Sequence, residues 1–162
     1  MKTVYKDFII RSWLPKDRLE AAEVIGSILV EYGLNWEPAG ADRDVLEIET
    51  FYENSGGEFW VVERGGKVVG TAAFYPVNRG NKGVEIRKMY LLKEVRSQGL
   101  GKFLLGELEK VIRKRSFEMI WVETASVLKE AVKLYERSGY QPATGVETLR
   151  CDRVYVKYLA GV

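Results

Sequence analysis

The run Arg96-Ser97-Gln98-Gly99-Leu100-Gly101 constrains this chain more than any other stretch, because of what flanks it. Before it stands the apolar run Met89-Tyr90-Leu91-Leu92, and after it an amphipathic stretch that begins at Leu100. A strand that ends in a basic, glycine-containing turn and then starts a helix is a place to bind phosphate. Glycine lacks a Cβ, so the chain bends tightly and brings its backbone N–H groups up to an anion. The first helical turn adds spare N–H donors and a partial positive charge aimed at the same anion.

Two better-known phosphate turns are excluded. A Walker A loop needs Gly-x-x-x-x-Gly-Lys-[Ser/Thr], but Gly101-Lys102 is followed by Phe103, and the earlier glycine position holds Arg96. A dinucleotide fingerprint needs Gly-x-Gly-x-x-Gly, whereas Gly99-Leu100-Gly101 continues with Lys102-Phe103-Leu104. What remains is Arg-x-x-Gly-x-Gly, a shorter turn suited to a pyrophosphate. Alone, it reads equally well as a plain turn before a helix.

The patterning elsewhere alternates strands and helices. Phe8-Ile9-Ile10-Arg11 reads as a first strand, and Pro15 opens a helix through about Tyr32. That helix places Leu19, Ala22, Glu23, Ile25, Gly26 and Leu29 near one face and ends at Gly33. Val45, Ile48, Glu49 and Tyr52 suggest a second helix closed by Ser55-Gly56-Gly57. Phe59–Val62 and Lys67–Tyr75 are strands joined by Gly65-Gly66, a hairpin signal. A turn at Asn78–Asn81 leads to the strand Val84–Leu92. A helix from about Gln98 to Arg115 buries Leu100, Phe103, Leu104, Leu108, Val111 and Ile112. The strand Met119–Val122, a helix from about Val127 to Ser138 and the strand Arg153–Tyr158 follow.

Composition narrows the function classes. The 162 residues suit a single domain over 1–162, and 46% apolar content is enough for a globular interior. A net charge of +2, from 25 basic against 23 acidic residues, makes no case for nucleic acid or membrane as a partner. The basic cluster Arg113-Lys114-Arg115 falls at a helix end, where cations suit the dipole. With no histidine, Ser-His-Asp and Cys-His catalysis and any histidine-ligated metal are excluded, and no metal is expected. Cys151 is the only cysteine, so no intramolecular disulfide forms and a reducing compartment is expected. The N-terminus lacks a signal peptide's apolar core, which makes the cytoplasm the expected location.

About thirty residues after the turn comes Ala131-Val132-Lys133-Leu134-Tyr135-Glu136-Arg137-Ser138-Gly139-Tyr140. The order strand, Arg-x-x-Gly-x-Gly, helix, strand, then Ala-x-x-Leu-Tyr-x-x-x-Gly-Tyr resembles the GNAT superfamily of acetyl-CoA-dependent N-acetyltransferases. The resemblance spans roughly Phe59 to Tyr140, and it departs where many members carry Asn and this chain has Leu128. It implies a GNAT-like α/β fold, with a central mixed, mainly antiparallel sheet and helices on both faces. It implies acetyl-CoA as co-substrate, with Arg96, Ser97, Gln98, Gly99, Leu100, Gly101 and Lys102 around the pyrophosphate. The backbone of Met89, Tyr90 and Leu91 would pair with the pantetheine arm and polarise the thioester carbonyl, as an oxyanion hole does.

N-acetylation also needs an unprotonated amine and a proton for the leaving thiolate. A lysine-like amine has a pKa near ~10.4, so a general base must take its proton. The resemblance implies Glu85 as the first candidate, since the family often places a carboxylate on that strand, and Glu123 on the following strand is the second; each reads equally well as an ordinary surface or ion-paired carboxylate. Tyr135 is the candidate general acid, against the reading that it is helix core. The expected reaction is direct transfer to a primary amine of a small molecule or amino acid, with no covalent route through Cys151. The competing class is a non-catalytic acyl-CoA-binding module with a sensor or assembly role. Self-association into a homodimer stays open, and so does the identity of the acceptor amine.

Overall fold

The computed structural model describes residues 1–159. Eight strands form one sheet: β1 (Lys2–Tyr5), β2 (Phe8–Ser12), β3 (Glu58–Arg64), β4 (Lys67–Val77), β5 (Gly83–Leu91), β6 (Met119–Thr124), β7 (Gln141–Ala143) and β8 (Arg153–Tyr158). Their order across the sheet is β1-β2-β3-β4-β5-β6-β8-β7. Every neighbouring pair is antiparallel except β5 and β6, which run parallel. The helices are α1 (Arg18–Glu31), α2 (Arg43–Leu46), α3 (Leu100–Lys114) and α4 (Lys129–Arg137). No helix among the described residues is long and apolar enough to cross a membrane.

The mixed, mainly antiparallel sheet with helices on both faces is the expected architecture, and the side chains show why it forms. Along β3, Phe59 and Val61 join one core cluster with Val24, Ile25 and Ile28 of α1, while Trp60 and Val62 join the other with Leu104 and Leu108 of α3. A strand apolar on both faces has to lie mid-sheet between two helical layers. Gly65 and Gly66 sit at φ +60° and +78°, the left-handed pair that a two-residue hairpin of native twist requires.

Between the pairs Thr71–Tyr90 and Ala73–Arg87, β4 advances two residues and β5 advances three. The extra residue is a bulge at Lys88, whose φ is +50°, and Thr71 Oγ1 donates to its carbonyl at 2.7 Å. The bulge resets the in–out alternation. Val84 and Ile86 pack on the α3 side, and so do Met89 and Leu91, although three positions separate Ile86 from Met89. Bulges bend a strand and re-aim its side chains.

Several element expectations need correction. The second helix over Val45–Tyr52 is instead α2 followed by a wide π turn at Glu49–Glu53. The break lets the Tyr52 hydroxyl donate to Asp44, a pair that a straight helix would hold about 12 Å apart along its axis. In α1 the buried stripe is Ala21, Val24, Ile25, Ile28 and Leu29, whereas Leu19 is 79% exposed. Pro15–Asp17 forms a separate 3-10 turn, because Asp17 accepts both the Arg11 guanidinium and the Leu14 amide. The strands β1 and β7 were not expected; both are short and lie at the sheet edges.

Candidate functional site

The β5–β6 ladder stops early. The strands pair at four positions, from Gly83–Met119 to Ile86–Val122. Beyond that point β5 stays with β4 up to Leu91, while β6 stays with β8 up to Thr124. The bulge at Lys88 bends β5 away, so the two strands splay and leave a cleft of about 510 Å³. Arg87–Leu91 form one wall, Val122–Ala125 the other, and Leu128, Ala131, Leu134 and Tyr135 of the α4 segment line its floor. That volume is in the range of small-ligand sites. The free edge of β5 can hydrogen-bond a peptide-like arm as a missing strand would, with Met89, Tyr90 and Leu91 all on the wall.

The glycine turn stands at one mouth of this cleft. Ser97 and Gly99 adopt φ +62° and +81°, and Gly99 caps α3. Left-handed residues at alternate positions turn successive amides to one side, an anion-binding concavity. The amides of Leu100, Gly101 and Lys102 open the helix and have no acceptor among the described residues. Ser97, Gly99, Gly101 and Lys102 line the cleft. Tyr5 and Lys6, both at 2.9 Å from the Gln98 carbonyl, brace the turn from the β1–β2 hairpin. These features fit a diphosphate followed by a peptide-like arm.

Three residues expected around the pyrophosphate also serve the fold. Gln98 and Leu100 stay off the cleft wall: the Gln98 carbonyl is occupied as described, and the Leu100 side chain is core at 1% exposure. Arg96 lines the cleft too, and its guanidinium forks onto Glu31 at 2.7 and 2.9 Å, donates to the Tyr32 hydroxyl and donates to the Leu91 carbonyl. Further positive charge on the cleft wall comes from Lys102, Lys133 and Arg137. Lys133 and Arg137 belong to the second motif, and only their four-residue spacing on α4 could have marked them.

Glu85 and Tyr135 both line the cleft. Burial pushes the Glu85 carboxyl above its ordinary value, against the pull of Arg87, whose guanidinium lies 3.7 Å away. A carboxylate so placed is a better proton acceptor at neutral pH than an exposed one. Glu123 is occupied otherwise. It accepts the Glu147 and Thr148 amides and the Arg79 guanidinium, and its pKa is lowered by those contacts despite its burial. It anchors a loop. The Tyr135 ring is buried, its hydroxyl stands 4.0 Å from Met89 Sδ, and burial raises its pKa, so it keeps its proton. Cys151, which follows both motifs in the sequence, is on the cleft wall. Burial pushes its thiol up to about 11, which leaves it protonated and a poor nucleophile.

A buried ionic cluster next to the cleft was invisible in the sequence. Asp42, fully buried, takes Lys88 Nζ at 2.8 Å and the Arg150 fork at 2.5 and 2.6 Å. Asp44 accepts Tyr52 and lies 3.5 Å from Lys88. No spacing rule joins Asp42 to Arg150 across more than a hundred residues.

The acetyltransferase (GNAT) family model matches residues 23–140. An Escherichia coli K12 protein named as the uncharacterized N-acetyltransferase YjgM is 33% identical over 136 residues, covering 82% of this chain and 81% of its own length. Other curated relatives, from mouse, rat and Xenopus, carry N-acetyltransferase names, and the chain spans about half their length. Among solved structures, a GNAT-family acetyltransferase from Staphylococcus aureus Mu50 superimposes with a TM-score of 0.86 at 22% identity, over 93% of this chain and 98% of that one. The yncA protein of Salmonella typhimurium, solved with its cofactor acetyl-CoA, gives 0.72 at 19% identity, over 95% and 94%. At these identities the structures speak for the fold.

Proposed function

This chain belongs to the acetyltransferase (GNAT) family, and on that premise we propose that it transfers an acetyl group from acetyl-CoA directly to a primary amine of a small molecule or amino acid. The observation that carries this reading is the split between β5 and β6, with unpaired amides at one mouth and Glu85 and Tyr135 both facing the opening.

Acetyl-CoA supplies the thioester carbonyl. The Ser97–Lys102 turn holds the diphosphate, with Lys102, Lys133 and Arg137 adding charge. The free β5 edge orients the arm, and a backbone N–H of Met89–Leu91 faces the charge that grows on the carbonyl oxygen. Glu85 takes the proton that the amine sheds as its C–N bond forms. The Tyr135 hydroxyl gives its proton to the sulfur as the C–S bond breaks and the electron pair leaves with it. The protonated Cys151 thiol supports direct transfer without an acyl-cysteine stage. The acceptor and any partners are part of this proposal: a small amine, no nucleic acid and no membrane.

Incubation with acetyl-CoA and a panel of amines, followed by release of free thiol, tests it. Thiol release that depends on an amine supports the reading. CoA binding without any turnover would instead identify a binding module.

A further inference from the structure

Among the cleft-lining cations near Glu85, one is held less closely than the others. Lys88 and Arg150 are consumed by Asp42, as described above. Arg87 is different. Its side chain is only 18% exposed, yet among the described residues it donates a single hydrogen bond, from Nη1 to the Tyr75 hydroxyl at 3.0 Å. The nearest carboxylates, Glu85 at 3.7 Å and Asp44 at 3.9 Å, lie beyond hydrogen-bond reach. The remaining Arg87 donors have no acceptor among the described residues, and none of them is sealed from solvent, so they are open to a ligand.

Glu85 and Arg87 are two apart on β5, so their side chains share one face. That is the α1 side, opposite Val84 and Ile86, which pack against α3. We propose that the acceptor is an α-amino acid, whose carboxylate lies on the Arg87 guanidinium while its amino group meets Glu85. The proposal rests on the acetyl-transfer reading and names the substrate class within it.

Two observations support the pairing. The gap of 3.7 Å between Glu85 Oε1 and Arg87 Nη1 is bridged by an amine and a carboxylate one carbon apart, each at an ordinary ~2.8 Å contact. The sign of the charge agrees. Arg87 lies beside Glu85, and a carboxylate bound on the guanidinium restores the negative charge that Glu85 loses when it takes the amine's proton. A second ammonium, as in a polyamine, would face Arg87 and Lys88 instead.

The test pairs each common α-amino acid with its carboxamide and its decarboxylated amine, for example phenylalanine with phenylalaninamide and phenethylamine, or lysine with cadaverine. Thiol release is measured with acetyl-CoA, and calorimetric binding with the CoA-loaded protein. At least one amino acid should exceed its two partners by about 10–100-fold in kcat/KM, the worth of a charged hydrogen-bonded contact. Arg87→Gln should bring that ratio towards unity, mainly through KM for the amino acid. Arg87→Lys, which keeps the buried charge but not the fork, should fall between. Equal turnover of acids, amides and amines, or no binding by any α-amino acid, overturns the proposal. Failure of the underlying reading looks different: no acceptor of any kind releases thiol, and the proposal falls with it.

Discussion

Tyr135 offers a clean test of proton donation because its hydroxyl contributes so little to packing. Its one hydrogen-bond partner among the described residues is Met89 Sδ at 4.0 Å, while its ring packs on Tyr140 and Tyr155. Tyr135→Phe should therefore melt close to the wild-type temperature while kcat falls about 100-fold and KM for acetyl-CoA barely moves. The lower end of the usual range is expected, because the raised pKa of this hydroxyl makes proton transfer to a thiolate uphill. Steady-state kinetics beside a thermal melt checks it, and a wild-type rate would remove the tyrosine from the chemistry. At this scale, legibility in the sequence followed locality. Tyr135 was named because it sits in a short motif, and Glu85 because the resembled family often places a carboxylate on that strand. Arg87 looked like any strand arginine, and Arg150 and Asp42 gain meaning only through a contact across more than a hundred residues.

The α3 helix separates two glycines that look alike in the motif. Gly99 sits at φ +81°, and a Cβ there would stand 2.6 Å from the Tyr5 hydroxyl, so Gly99→Ala should cost about 1–2 kcal/mol in denaturant unfolding. Gly101 is helical, and a Cβ would meet Leu134 at an ordinary 3.5 Å. Gly101→Ala should thus be as stable as wild type or more so, by up to ~1 kcal/mol, and still bind CoA. Gly101→Val puts branched bulk on the cleft wall and should weaken CoA binding by about tenfold or more in a calorimetric titration, a steric cost of roughly 1–3 kcal/mol. Elements with strong amphipathic period or a diagnostic turn were readable, and β8 falls at its expected bounds. The α1 face was misjudged because apolar Leu19 and Val30 stand on the exposed side of that helix, which blurs the buried stripe in the periodicity. The Lys88 bulge was hidden because a lysine at positive φ carries no sequence signal, unlike glycine.

Across the whole molecule, Asp42 ties together three segments far apart in the chain: the loop after α1, the bulge of β5 and the stretch before β8. Burial alone would raise its pKa, but the Arg150 fork and Lys88 outweigh that and hold it at about 2, below its ordinary 3.8. A depressed carboxylate contributes stability in full above its unfolded value and loses it as the pH falls through the folded one. Asp42→Asn should therefore cost about 3–5 kcal/mol at neutral pH, because two buried cations lose their partner. In urea melts the penalty should shrink between pH 3.8 and about 2. A variant with wild-type stability at neutral pH would show that the knot is dispensable.

The seam between β5 and β6 has a mechanical meaning. Within the sheet, four paired positions join the five strands β1–β5 to the three strands β6, β8 and β7, and side chains such as Arg79 on Glu123 and Arg150 on Asp42 cross beside them. The sheet is thus two plates meeting at a crease, and the working cleft is the place where the crease gapes. A molecule lodged there touches both plates at once and acts as a splint across the crease, so CoA should raise the melting temperature in a thermal shift measurement.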